Sequence, residues 1–257
     1  MLKRREFLKT TTAAAVAGVF FESIFAQSSS APSSVDKHAD AGKRAVRIGA
    51  PTFFPDDDPM AWAKNARDQR YRAVYAPNVS LNDAPRIKAF RDAVRQNDLV
   101  IAEVGRWCNL MDADPEKQKQ NLQAVTEGLA LAEELDAKCC VDIAGSFDTE
   151  SWFGPHPKNV SDEYFDLAVE NARKIIDAVK PKQAKFAYEM MGWAIPDTPE
   201  NYLRLLKAID RPGFGVHVDI CNMINTPDKF WRLYSGFGLI LCALVKHRTM
   251  REIWWFA

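Results

Sequence analysis

Short apolar runs alternate along this chain with longer charged segments in which apolar residues recur every three or four positions. The runs open near Val46, Arg72, Leu99, Lys138, Ala184 and Phe214 and are rich in β-branched and aromatic residues, as buried strands are. Between them, Asp58 to Gln69, Asp83 to Gln96, Asp114 to Ala137, Ser161 to Lys180 and Thr198 to Asp210 carry the helical period. Asp, Ser or Thr stands at the head of each as an N-cap, and several have Pro in the first turn. In Asp114 to Ala137 the residues Leu122, Val125, Leu129, Ala132 and Leu135 form one apolar stripe able to cover a sheet. Strand followed by helix, repeated about every thirty residues, builds a parallel sheet, either closed or doubly wound. The turn after the first strand, Gly49-Ala-Pro-Thr-Phe-Phe54, lacks the glycine fingerprint of a dinucleotide fold and so favours closure. The expected class is α/β, a (β/α)8 TIM-barrel type that is incomplete, with about six βα units.

Charge narrows the partners. Lys and Arg number 34 and Asp and Glu 34, so the chain offers no basic footprint for nucleic acid or an anionic membrane, and a small molecule is the expected partner. Five cysteines, Cys108, Cys139, Cys140, Cys221 and Cys242, have no zinc spacing, and an odd number cannot pair completely. Cys139 and Cys140 would point to opposite faces of one strand as core filler.

The N-terminus reads as an address. Lys3-Arg4-Arg5-Glu6-Phe7-Leu8 precedes a mildly apolar stretch, Thr10 to Ala26, and then the linker Ser28-Ser-Ser-Ala-Pro-Ser-Ser34. Residues 1–34 are therefore expected to be a twin-arginine signal and linker, with a periplasmic or otherwise exported product and no stable membrane insertion. Residues 35–232 form the barrel domain and 233–257 an atypical tail. Self-association of the barrel stays open.

Chemistry gathers at the ends of the fifth and sixth runs. Glu189 closes Phe186-Ala-Tyr-Glu-Met-Met191 and Asp219 lies in Gly215-Val-His-Val-Asp-Ile-Cys-Asn222. An ionised carboxylate at a buried strand end is costly unless paired, and a divalent cation pairs with it well. By strand alternation Glu189 shares a face with Ala187 and Met191, and His217 with Asp219. The loop Phe147 to Pro157 follows the fourth strand on the expected catalytic face, where Trp152, Phe153 and His156 would line a pocket suited to a sugar ring. Asp56-Asp-Asp58 reads as a solvated loop and N-cap.

These two motifs give the chain, over roughly Val46 to Arg232, a resemblance to the xylose-isomerase-like barrel superfamily of sugar and sugar-phosphate isomerases and epimerases. The resemblance implies that Glu189 and Asp219 are metal ligands and that Glu189 is also the catalytic base. It further implies that Glu103 and His217 contact substrate, as does Asn222, which stands where many relatives have a histidine. The implied cofactor is a divalent ion, manganese, magnesium or cobalt, and the implied reaction moves a proton beside a carbonyl through an enediolate. The alternatives are a non-catalytic periplasmic carbohydrate-binding protein and, less favoured because of four histidines and zero net charge, a metal-dependent endonuclease-like barrel. Past Arg232 the likeness fails: Leu233 to Ala257 has no carboxylate before Glu252, and His247 lies in a basic cluster with Lys246 and Arg248. That stretch reads as a truncated or frameshifted tail, which would leave late barrel strands missing and activity weak or absent.

Overall fold

Each helix starts where a side chain can satisfy its free N–H groups. Asp58 accepts from Met60 and Ala61 at the head of α1 (Pro59–Asp68), and Asp83 accepts from Arg86 at the head of α2 (Ala84–Gln96). Asp114, Ser161 and Thr198 cap α3 (Pro115–Glu134), α4 (Asp162–Val179) and α5 (Pro199–Ile209) in the same way. The computed structural model describes residues 47–51, 54–223 and 255–256. The signal expected over residues 1–34 lies outside them, as does the 233–257 tail apart from Trp255 and Phe256. No described helix is long and apolar enough to cross a membrane.

The strands β1 (Ile48–Ala50), β2 (Ala73–Tyr75), β3 (Val100–Gly105), β4 (Cys139–Asp142) and β5 (Lys185–Tyr188) pair in parallel in chain order. A doubly wound sheet would reverse order at a switch point, whereas this progression is that of a barrel wall. The sixth run enters irregularly, through the parallel bridges Phe186 to Phe214 and Glu189 to His217, and leads to a one-turn helix α6 (Ile220–Met223). On the other side of the sheet the two-residue β6 (Trp255–Phe256) pairs in parallel with β1.

Alternation sorts the strand residues as the sequence implies. Phe186 and Tyr188 face the helices, their rings 4.9 Å apart, and the Tyr188 hydroxyl donates to Ala168 of α4. Ala187 and Glu189 therefore face the interior. Cys140 contacts Val125 of α3, leaving Cys139 on the opposite face. Val125, Leu129, Ala132 and Leu135 are buried, with Leu122 packed at the edge of the core.

Two polar devices hold β5 and the sixth run in register. Glu133, near the end of α3, accepts from the backbone N–H groups of Lys182, Gln183 and Ala184 at 3.1, 3.0 and 2.9 Å, fixing the turn into β5. Burial alone would raise its carboxyl, but the three N–H groups outweigh it and hold Glu133 below the ordinary carboxylate range. Tyr202 of α5, fully buried, donates to the Tyr188 carbonyl at 2.5 Å and accepts from the His217 N–H at 3.0 Å, joining the two strand ends.

Tyr202→Phe strands a buried carbonyl and a buried N–H, and urea unfolding should show a loss of about 1–3 kcal/mol. Because the folded pKa of Glu133 is depressed, its contribution is present above the ordinary value of 4.5 and is lost as pH falls through the folded value. The stability gap between wild type and Glu133→Gln should therefore be widest near neutrality and close on acidification; a gap that does not change with pH refutes the assignment.

Candidate active site

Glu103 lies on the interior face of β3, only 2 % exposed, and its Oε2 is 2.9 Å from His217 Nε2. Two strands, β4 and β5, stand between these residues, and in a flat sheet three strand spacings would put them about 14 Å apart. The sheet is curled enough that the pair closes across its concave interior. Burial lowers the His217 pKa, but the hydrogen bond and charge of Glu103, helped by Glu189 and Asp219, overcome it and hold the ring above its ordinary 6.5. His217 Nδ1 is buried without a hydrogen-bond partner.

Glu189 follows β5 directly. Its N–H donates to the Asp142 carbonyl at 2.9 Å, its side chain is 8 % exposed, and its Oε1 accepts from Asn222 Nδ2 at 3.0 Å. Burial pushes its carboxyl up to about 7; a hydrogen bond that only protonated Glu189 can donate to Asp219, and the charges of Asp219 and Glu103, act the same way against the pull of His217. Asp219 does double duty, since its Oδ1 also accepts the Asn222 N–H at 3.0 Å and so opens α6. Directly across from Glu189 is His217, with Asp219 one pleat further on, so the two carboxylates meet with an offset instead of at equal height.

Five of the expected residues, Glu103, Glu189, His217, Asp219 and Asn222, thus converge in one interior network. Trp152 and His156 belong to a separate cluster. Trp152 packs edge-on against Phe153 at 5.3 Å, while His156 packs against Phe147 at 6.3 Å and its Nδ1 accepts the Lys158 N–H at 3.3 Å. Ser146 and Asn159 brace that loop: Asn159 accepts from the Phe147 N–H at 3.0 Å and donates to Ser146 Oγ at 2.9 Å. Among the described residues no hydrogen bond or ring contact ties Trp152 or His156 to the carboxylates.

Three further residues, not singled out from the sequence, bear on this network. Tyr75, opposite Glu103 in the β2 to β3 register, is pushed up to about 12 by burial and by the charges of Glu103, Glu189 and Asp219, which places its phenol in their field. Trp107 lays its indole over the interior face of Gly105: a Cβ at residue 105 would lie 3.1 Å from the indole nitrogen. Still 49 % exposed, that ring overhangs the strand two residues beyond Glu103. Asp142, on the helix side of β4, is fully buried, and burial holds its carboxyl well above the ordinary range despite the Cys108 and Ile143 N–H groups. An aspartate ending a strand was the available signal for Asp142; an aromatic at a strand end, as at Tyr75 and Trp107, carries no such signal.

Among the described residues no group of three His, Cys, Asp or Glu side chains is arranged to hold a metal ion. What the site offers is the Glu189 and Asp219 pair, and its crowding is the kind that a divalent cation relieves. Two carboxylates suffice for an ion that completes its shell with water and substrate oxygens.

A search of curated sequences finds no match. Among solved structures the chain is similar to D-psicose 3-epimerase with D-tagatose from Clostridium cellulolyticum H10, with 14 % identity, 76 % of this chain and 71 % of that one covered, and a TM-score of 0.58. It is likewise similar to 3-keto-D-glucoside 4-epimerase from E. coli in its apo form, with 11 % identity, coverage of 83 % and 92 %, and a TM-score of 0.57. A xylose isomerase-like TIM barrel protein from Mycobacterium smegmatis in complex with magnesium gives 19 % identity, coverage of 76 % and 73 %, and a TM-score of 0.50. At these identities the likeness establishes the fold. Residues 41–245 match a family profile, and by that match the chain belongs to the xylose isomerase-like TIM barrel family.

Proposed function

We propose that this chain is a metal-dependent sugar isomerase or epimerase, which moves a proton on a carbon beside a carbonyl. The observation that carries this reading is the convergence, inside the curled sheet, of the carboxylate pair Glu189 and Asp219 with the Glu103 to His217 pair. Sugar epimerases among the similar folds support it.

Each residue has work to do in such a reaction. Glu189 takes the proton from carbon and returns it; a buried carboxyl whose pKa lies near neutrality is matched to that exchange. The Asn222 amide holds Glu189 Oε1, so the carboxylate is oriented before substrate arrives. His217, with Nε2 directed at Glu103, keeps Nδ1 for a substrate oxygen. The exposed indole of Trp107 offers an apolar face to a sugar ring. Manganese, magnesium or cobalt held by Glu189 and Asp219 would supply Lewis-acid stabilisation of the negative charge that develops on the carbonyl oxygen. The Arg4-Arg5 pattern and the linker after it support export through the twin-arginine route to the periplasm.

Purified protein supplied with manganese and incubated with D-fructose, D-psicose or D-tagatose in heavy water should exchange the proton beside the carbonyl. Glu189→Gln should slow that exchange by about 10² to 10⁴-fold. Sugar binding with no exchange in wild type would make the chain a carbohydrate binder instead. Manganese should also raise the melting temperature of wild type in a concentration-dependent manner and leave Glu189→Gln and Asp219→Asn nearly unmoved, as seen by calorimetry. An equal rise in all three proteins excludes the pair as its ligands.

A further inference from the structure

Alternation along β3 sends Glu103 and Gly105 inward and Val104 and Arg106 toward the helices. The stem of Arg106 crosses α3 at Gly128, where a Cβ would lie 2.3 Å from Arg106 Cγ and 3.1 Å from its Nε. Glycine inside a helix costs about 1 kcal/mol relative to alanine. Here it leaves the groove in which the arginine lies.

That groove delivers the guanidinium to a cavity of about 190 Å³ at the C-terminal edge of β2 and β3, whose walls include Asn78, Val79, Gly105 and Leu131. Arg86, Arg95, Arg204 and Arg211 each find an aspartate. Arg106 makes one side-chain hydrogen bond, from Nη1 to the Gly105 carbonyl at 3.1 Å, and among the described residues no carboxylate pairs with it. A guanidinium stays protonated and carries five donors in a planar fork, so most of its capacity is unspent beside an open space.

We propose that this cavity is an oxyanion site, in which Arg106 receives a phosphate group through charge-assisted, forked hydrogen bonds. Free phosphate and the phosphoryl group of a sugar phosphate share that chemistry. The second source also rests on the proposed function: a sugar held beside Glu103 would pass its phosphoryl group over the end of β3 to the other face of the same strand.

Isothermal titration of the full chain at low ionic strength tests the proposal, with inorganic phosphate, D-fructose 6-phosphate and D-fructose as probes. Saturable binding of phosphate is expected, weakened at least about tenfold by Arg106→Gln and partly retained by Arg106→Lys. Gly128→Ala, which drives a methyl group into the arginine stem, should weaken it as well, whereas Arg204→Gln on the surface should not. If D-fructose 6-phosphate displaces phosphate and loses its advantage over D-fructose in Arg106→Gln, the ligand is the sugar phosphate. If it does not compete, the ligand is free phosphate. Equal phosphate binding by wild type, Arg106→Gln and Arg106→Lys, or no saturable binding of either phosphate probe, overturns the site. Proton exchange by wild type alongside a failed phosphate titration leaves the isomerase reading standing, and Arg106-dependent phosphate binding without exchange does the reverse.

Discussion

Glu103 and His217 meet across the interior although 114 residues and two strands separate them, and the rest of the site is arranged around that contact. A carboxylate as deeply buried as Glu103 pays a desolvation cost that the imidazole offsets only at hydrogen-bond distance, so the two strand ends are not free to drift apart. The contact therefore constrains curvature as well as charge. Tyr202 makes the constraint effective from the other side of the sheet, since its hydroxyl holds the Tyr188 carbonyl and the His217 N–H at once. Glu189 follows Tyr188, and Asp219 lies two residues past His217. One phenol thereby sets the spacing of the carboxylates that the chemistry needs.

Helix boundaries were legible because their causes are local. Asp114 before Pro115, Ser161 and Thr198 each cap a helix with a side chain already visible beside the first turn. The interior placement of Glu189 was equally accessible, because the period of two that buries Phe186 and Tyr188 against helices leaves Ala187 and Glu189 no other face. The sixth run was harder. It makes isolated bridges instead of a ladder, and Asp219 spends one oxygen on capping α6, so capping and site chemistry coexist in one residue.

What the sequence could not disclose was long-range partnership. Nothing near Glu103 announces that its imidazole lies on the sixth run, and nothing near Tyr202 distinguishes a latch from an ordinary buried aromatic on an amphipathic helix. Tyr75 and Trp107 were hidden for a related reason: an aromatic at a strand end contributes the same apolar signal whether it fills the core or overhangs a site. Only the register of Tyr75 against Glu103, and the missing side chain at Gly105 beneath the Trp107 ring, separate those roles. Trp152 and His156 could be assigned to the correct loop from sequence, yet whether that loop reaches the carboxylates depends on its internal bracing by Ser146 and Asn159.

A strand end with charged residues an odd number of positions apart can serve two chemistries with little crosstalk. Glu103 and Arg106 are three positions apart, but one faces a crowded, acidic interior and the other a cavity between the ends of β2 and β3 and α3. A cation on the interior face and an anion on the helix face would each lower the cost of the charge already there, and the backbone between them keeps the two from simply neutralising each other. On opposite faces, Glu103 is met by His217 within the chain, while Arg106 is left to the phosphate group proposed above.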